Sequence, residues 1–109
     1  MISIICPCFN SSNTINGVID SILGQASTKI KFEMIFIDDG STDNTVRLLK
    51  SGIEKLNLNG IVSHMYLNSH KGPGTARNIG IKNSNYDYIA FIDSDDIWYK
   101  NEGYKQYSD

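Results

Sequence analysis

Short apolar runs alternate along the chain with segments in which apolar residues recur at helical spacing. The apolar runs predict strands over residues 1–6, 32–37, 61–66 and 88–92. The spaced apolar residues predict helices over residues 15–23, 46–56 and 75–83. We expect Pro7 to end the first strand. We also expect the Ser, Asn and Thr residues before the first helix, and the turn 38–43 before the second, to supply N-caps.

The alternation of strands and helices predicts the fold class. Parallel neighbours need a long crossover, so this order favours an α/β fold with a mainly parallel sheet and flanking helices. Ligands of such open sheets bind beyond the carboxyl ends of the strands. The loops that follow Cys6, Ile37 and Ile92 are therefore expected to share one crevice.

Composition narrows the function further. The 109 residues, 40% of them hydrophobic, suit one compact domain. A net charge of -2 gives no electrostatic reason to expect a nucleic-acid partner. The sequence has neither a membrane-length apolar run nor a secretory signal pattern, so we expect a cytoplasmic location. Cys6 and Cys8 are too few for a disulfide framework and are predicted to be reduced thiols, with Cys6 in the core.

The segment 93–96, Asp-Ser-Asp-Asp, follows the last predicted strand. Alternate side chains of a strand share a face, so Asp93 and Asp95 are predicted to face one site. Two carboxylates suit Mg²⁺ or Mn²⁺, which complete their coordination with water and phosphate oxygens. A solvated acidic turn is the alternative reading of this segment.

Two further segments are candidates for ligand binding. Asp38 or Asp39, after the second strand, is predicted to hydrogen-bond a base or ribose, and the other to serve the turn. The loop 71–80 leads into a helix whose first turn and Arg77 suit an anion. Its Gly72 and Gly74 are spaced as in the dinucleotide fingerprint, but Arg77 stands where that motif needs a third glycine. A nicotinamide-dependent oxidoreductase is therefore disfavoured.

Together these motifs resemble family 2 glycosyltransferases of the GT-A fold. The resemblance is carried by four segments in matching order and spacing: 7–10, 38–43, 74–80 and 88–98. It implies a Rossmann-like GT-A nucleotide-sugar-binding half and a hexosyltransferase acting in bacterial polysaccharide or cell-envelope glycan synthesis. The segment 93–95 is similar to the family's DxD motif.

The resemblance also implies roles for particular residues. Donor-binding residues are expected to be Pro7, Phe9, Asn10, Asp39, Arg77, Asp93, Ser94 and Asp95. Asp39 would bind the base, which is uracil if the donor is a UDP-sugar. Asp93 and Asp95 would hold Mn²⁺ or Mg²⁺, which neutralises charge on the leaving diphosphate. The general base is expected downstream of this chain, so no catalytic residue is assigned.

After Trp98 the chain departs from the family pattern. We therefore divide it into a nucleotide-sugar-binding half-domain, residues 1–98, and a tail, residues 99–109, and expect the acceptor-binding half to be absent. A truncated noncatalytic nucleotide-binding module is the alternative function. Expected partners are a nucleotide sugar and a carbohydrate or lipid-linked acceptor, with peripheral contact at the inner face of the membrane. Apolar surface left uncovered by a missing half would favour self-association.

Overall fold

The computed structural model of the chain describes residues 1–25 and 31–94. Its elements are β1 (Ile2–Cys8), α1 (Ile15–Leu23), β2 (Phe32–Asp39), α2 (Thr45–Leu58), β3 (Ser63–Asn68), α3 (Pro73–Lys82) and β4 (Tyr88–Phe91). The strands form one parallel sheet in the order β3-β2-β1-β4. The predicted α/β class with a parallel sheet and flanking helices is confirmed.

Strand β1 differs from the prediction because it runs through Pro7 to Cys8. Pro7 is paired with Ile37 of β2. On the other side of β1, strand β4 pairs only with Ile2 to Ile5, and the Ile92 N–H donates to the Ile5 carbonyl. Pro7 therefore lies past the β4 pairing, where the missing N–H of a proline costs no ladder hydrogen bond.

The two faces of the sheet are covered differently. One face packs against α1 and α2 in a large cluster that includes Ile4, Phe36, Val18 and Leu49, all fully or almost fully buried. The other face packs against α3 in a smaller cluster of Ile5, Ile35, Ile37 and Ala76. Both apolar faces of the two central strands are thereby removed from water, which is the main source of stability in such a layered fold.

Helix α3 lies very close to the sheet because residue 80 is glycine. A Cβ added at Gly80 would lie 2.4 Å from Cγ2 of Ile5 and 3.0 Å from Cδ1 of Ile37. Even an alanine would therefore push the helix away from β1 and β2. This contact fixes the helix that carries Arg77.

The predicted side-chain N-cap is wrong at Thr14 of α1, whereas at α2 the predicted turn does contribute through Asp43. Neither Thr14, before α1, nor Asn44, before α2, makes a side-chain capping hydrogen bond. The Thr14 hydroxyl donates instead to the carbonyl of Ser94, 3.0 Å away. At α2, Asp43 accepts hydrogen bonds from both the N–H and the hydroxyl of Thr45, so the turn contributes one residue earlier than a standard cap.

Two further features agree with the sequence. Cys6 and Cys8 form no disulfide and both are buried, with their sulfur atoms 3.9 Å apart. Across the described residues, none of the helices combines the length and the apolar character needed to cross a bilayer.

Candidate functional site

A pocket of about 590 Å³ opens at the carboxyl ends of the parallel strands, where the sequence predicts a shared crevice. Its walls come from the ends of β1 and β2, from the segments that follow β1, β3 and β4, and from the first part of α3. The lining residues are Pro7, Cys8, Phe9, Asn10, Ser11, Asn13, Thr14, Asp39, His70, Pro73, Arg77, Asp93 and Ser94.

This pocket brings together the predicted donor-binding residues that the structure describes. Those residues are Pro7, Phe9, Asn10, Asp39, Arg77, Asp93 and Ser94. Asp95, the eighth predicted donor-binding residue and a predicted metal ligand, lies outside the described residues. The individual roles given to these side chains stay predictions.

Asp39 lies at the buried edge of the pocket and holds the loop before α3. Its Oδ1 accepts hydrogen bonds from the Lys71 N–H at 2.9 Å and from the Asn68 side-chain amide at 3.0 Å. Its Oδ2 accepts one from the Gly72 N–H at 2.9 Å. Burial disfavours the ionised carboxylate, but these hydrogen bonds outweigh that cost and lower the pKa of Asp39. Asp39 is therefore an anion that orders the chain between β3 and α3.

Asp38, its neighbour, serves the turn after β2. Its carboxylate accepts hydrogen bonds from the Ser41 N–H at 2.9 Å and from the Ser41 hydroxyl at 2.5 Å. Asp38 is buried and does not line the described pocket. Asp38 thus stabilises the turn, whereas Asp39 lines the pocket.

Asn10 joins the loops after β1 and β2. It adopts a left-handed backbone conformation, with a φ of 48°, which asparagine tolerates better than most residues. Its N–H donates to the Ser41 hydroxyl at 2.9 Å, and its side-chain oxygen accepts from the Thr42 N–H at 2.8 Å. Asn10 therefore contributes to the pocket wall by fixing the position of two loops.

Phe9 and His70 form a stacked pair of rings in the pocket. Their ring centroids are 4.2 Å apart and their planes differ by 22°. Phe9 is 44% exposed. The His70 Nδ1 lies 3.2 Å from the Asp39 carbonyl oxygen and 3.3 Å from Asp39 Oδ2. The loop that Asp39 orders therefore places an imidazole against the aromatic residue that follows β1.

Ser94 is attached to the loop after β1. Its hydroxyl lies 2.6 Å from the Ser11 hydroxyl, and its carbonyl accepts the Thr14 hydroxyl. The Ser11 N–H in turn donates to the Thr45 hydroxyl at 2.7 Å, which connects this loop to the start of α2. The wall that carries Asp93 and Ser94 is thus held against the starts of both α1 and α2.

Among the described residues, the pocket contains one guanidinium and one exposed carboxylate. Arg77, on α3, is partly buried, and its Cζ lies 6.0 Å from the centre of the Phe91 ring. Asp93 follows β4 and is exposed. A guanidinium is suited to phosphate oxygens, and a carboxylate to a hard cation.

The described residues can be tested for a fit to Mg²⁺ or Mn²⁺. In ranges 1–25 and 31–94, no three His, Cys, Asp or Glu side chains form a metal-binding cluster. Asp39 is a poor ligand because both its oxygens accept N–H donors. Asp93 fits, because these cations bind through one or two carboxylates and take further oxygens from water and phosphate.

Several pocket residues were not predicted to bind the donor: Cys8, Ser11, Asn13, Thr14, His70 and Pro73. Ser11 and Thr14 were expected to cap α1. No role was predicted for His70. Its position directly before the loop 71–80 was the one indication that His70 could lie near a ligand. Its contact with Phe9 could not be predicted, because it depends on how two loops distant in sequence fold.

Comparisons with known proteins agree with this geometry. The sequence model described as Glycosyl transferase family 2 matches residues 3–108. The chain is 38% identical over 94 residues to the poly(ribitol-phosphate) beta-N-acetylglucosaminyltransferase TarS of Staphylococcus aureus. That match covers 86% of this chain and 16% of the relative, so the chain spans about a sixth of its length.

Two solved structures show the same architecture. A crystal structure of S. aureus TarS in complex with UDP-GlcNAc superposes with a TM-score of 0.77 at 30% identity, covering 95% of this chain and 29% of that one. The mannosyltransferase PcManGT from Pyrobaculum calidifontis, in complex with GDP-Man and Mn²⁺, gives a TM-score of 0.84 at 20% identity, covering 99% and 32%. The second likeness is evidence for the fold alone.

Proposed function

This chain belongs to glycosyl transferase family 2, and we propose that it forms the donor site of a glycosyltransferase that uses a nucleotide diphosphate sugar. The proposed donor is a UDP-sugar, and the proposed reaction is hexosyl transfer to an acceptor hydroxyl in bacterial polysaccharide or cell-envelope glycan synthesis. The observation that carries the proposal is the convergence of Phe9, Arg77 and Asp93 in one pocket.

Each of these side chains suits a different part of the donor. The Phe9 ring is exposed enough to stack on a nucleobase. The Arg77 guanidinium suits the diphosphate, on which negative charge grows as the bond to the sugar breaks. Asp93, together with Asp95 outside the described residues, would hold Mn²⁺ or Mg²⁺. When bound there, the cation would supply Lewis-acid stabilisation of the diphosphate.

The relatives support this choice of donor and acceptor class. TarS, by its name, transfers N-acetylglucosamine to poly(ribitol-phosphate), and one of its structures contains UDP-GlcNAc. A polymer or lipid-linked hydroxyl is accordingly the proposed acceptor. The cytoplasmic location, the contact with a membrane and self-association stay predictions.

Calorimetric titration of UDP into the purified chain tests the donor site. We expect binding in the presence of Mn²⁺ and at least about tenfold weaker binding with EDTA, which corresponds to about 1.4 kcal/mol. Asp93→Ala should weaken binding in Mn²⁺ by a similar factor, because one oxygen ligand is lost. Asp87→Ala, an exposed aspartate before β4, is the matched control and should leave binding unchanged.

Three results would count against the proposal. If no nucleoside diphosphate binds to the folded chain, the pocket is not a donor site. If NAD binds better than UDP, the ligand class is wrong. If UDP binds equally well with Mn²⁺, with EDTA and to the Asp93→Ala chain, the cation assignment fails while the nucleotide assignment stands.

A further inference from the structure

Two hydroxyl groups from the loop after β1 hold Ser94, the residue that follows Asp93. The Ser11 hydroxyl lies 2.6 Å from the Ser94 hydroxyl, and the Thr14 hydroxyl donates to the Ser94 carbonyl at 3.0 Å. We propose that Ser11 and Thr14 are positioning residues for Asp93 and thereby determine how tightly Mn²⁺ or Mg²⁺ binds. The inference rests on the proposed donor site and names residues that prepare its cation ligand.

The hydrogen bonds of the Ser11 hydroxyl have a defined direction. This hydroxyl also lies 3.3 Å from the Phe9 carbonyl oxygen, which is an acceptor only. A hydroxyl has one proton, so both hydrogen bonds form together only if Ser11 donates to Phe9 and the Ser94 hydroxyl donates to Ser11. Alanine at position 11 would therefore remove the acceptor of the Ser94 side chain.

The loop that supplies these hydroxyls is itself attached to the core. Ser11 is 7% exposed, and its N–H donates to the Thr45 hydroxyl at 2.7 Å. Thr45 is fully buried at the start of α2, and its hydroxyl donates in turn to the Asp43 carboxylate. A buried polar network in which each group has its partner is rigid. The protein alone therefore fixes the position of Ser11.

Asp93 lies between two fixed points of the main chain. On one side, the Ile92 N–H donates to the Ile5 carbonyl, which holds Ile92 against β1. On the other side, Ser94 is held through its side chain and its carbonyl by the two hydroxyls. Asp93 itself is exposed at the pocket. Loss of the hydroxyls would leave the main chain that carries Asp93 fixed on the Ile92 side but not at Ser94.

A fixed main chain around a metal ligand increases the affinity for the metal. The carboxylate is then already ordered, so less conformational entropy is lost when the cation binds. Groups that orient metal ligands typically contribute about 10- to 100-fold to metal affinity. Ser11 and Thr14 act through uncharged hydrogen bonds to a neighbour of Asp93, so we expect the lower end of that range, about tenfold, for the pair.

The test is calorimetric titration of UDP at a series of Mn²⁺ concentrations and in EDTA. The variant that combines Ser11→Ala with Thr14→Val removes both hydroxyls. In this variant, the Mn²⁺ concentration that gives half of the metal-dependent gain in UDP affinity should rise about tenfold. The UDP affinity in EDTA should change less than about twofold, because Asp93 is proposed to act through the cation.

Three further variants separate positioning of Asp93 from a general structural role. Ser11→Ala with Thr14→Ser keeps the hydroxyl that meets the Ser94 carbonyl and should recover part of the Mn²⁺ affinity. Ser21→Ala removes a hydroxyl that donates to a carbonyl within α1, away from the pocket, and should leave both affinities unchanged.

The third variant adds Asp93→Ala to the variant that lacks both hydroxyls. If the hydroxyls act through Asp93, this chain should bind UDP in Mn²⁺ as tightly as Asp93→Ala alone. Independent contributions would instead multiply, and the combined chain would bind UDP more weakly than Asp93→Ala.

The outcomes distinguish this inference from the proposed function. If the folded, unmodified chain binds no UDP, or binds it equally well with Mn²⁺ and EDTA, the proposed donor site or its cation fails, and this inference fails with it. If Mn²⁺ strengthens UDP binding equally in the variant without the two hydroxyls, this inference alone is overturned. An equal loss of UDP affinity in Mn²⁺ and in EDTA would also overturn it, because the hydroxyls would then act on the nucleotide or on the whole pocket.

Discussion

Strand β2 carries buried carboxylates at both ends, and two of them, Glu33 near its start and Asp39 at its end, make similar contacts with different results. They are six residues apart and so lie on the same face of the sheet, the face that α3 covers. Asp39 accepts hydrogen bonds from the loop before α3. Glu33 accepts them from the loop after α3, through the N–H and side chain of Asn85, and from the Ser3 hydroxyl. The helix is thus held at both ends by anions of one strand.

The difference between the two lies in what surrounds the carboxylate. Glu33 is enclosed by protein donors, and Ser3 also accepts the Tyr86 N–H, so this end is a closed network. Asp39 has the same kind of donors but borders the pocket, where His70 and Phe9 are exposed. A buried, hydrogen-bonded carboxylate therefore indicates a fixed loop in both places. Only Asp39, at the carboxyl ends of the strands, also lines the pocket of the proposed donor site.

Glu33→Ala should have the largest effect on stability. It would leave Ser3 and Asn85 without their buried acceptor, and we expect a loss of about 3 kcal/mol in the free energy of unfolding. UDP affinity of the folded protein should change less than about twofold, since Glu33 is distant from the described pocket. Urea unfolding and calorimetry on the same samples would measure both. Glu33→Gln, which keeps one acceptor, should lose less, and a large loss of UDP affinity in either variant would contradict the comparison.

Asp39→Asn should reduce stability less than Glu33→Ala does, but it should weaken UDP binding more. The asparagine keeps one acceptor oxygen but presents an amide to an N–H donor, so we expect a loss of about 1–2 kcal/mol in stability. The affinity for UDP should fall about tenfold, because the loop that places His70 is no longer fixed. A variant that unfolds at the same urea concentration and binds UDP normally would show that Asp39 has no role at the site.

Acid should destabilise the protein because hydrogen-bonded carboxylates such as Glu33 and Asp43 must take up a proton. The loss of stability should be smaller than that caused by either substitution. Burial opposes ionisation of Glu33, but the hydrogen bonds of Ser3 and Asn85 and the attraction of His64 lower its pKa below the ordinary 4.5. The pKa of Asp43 is lowered to about 2, first by the Thr45 hydroxyl. A carboxylate whose pKa is lowered by folding stabilises the fold at pH values above its ordinary pKa. That contribution is lost as the pH falls towards the lowered pKa.

The free energy of unfolding should therefore be level from pH 7 to about pH 5 and should decrease below about pH 4. Urea unfolding at a series of pH values measures this profile. Glu33→Gln should reduce the decrease, since its neutral side chain takes up no proton. An identical acid profile in that variant would mean that Glu33 has the same pKa in the folded and unfolded chain.

The sequence predicted the elements and the location of the site because both depend on local pattern. Apolar periodicity identified the four strands and three helices of the described residues, and the polar residues at the strand ends predicted the crevice that Asp39 and Asp93 line. The network around Glu33 could not be predicted, because a single glutamate inside an apolar strand gives no indication that Asn85 will approach it. The Thr14 hydroxyl was assigned to a cap for the same reason. Its partner, the Ser94 carbonyl, becomes a neighbour only when β4 is placed beside β1.

The strand order has a consequence for how the chain acquires its shape. β1 is made before the other described strands, yet it pairs on one side with β2 and on the other with β4, the last of them. Such distant pairing gives a high contact order and slow folding. During synthesis β1 and β2 can associate early, but the wall that holds Asp93 and Ser94 is added only when β4 has emerged. A nucleotide would therefore bind to the fully assembled sheet and not to its early portion, and its addition should slow unfolding more than it speeds folding.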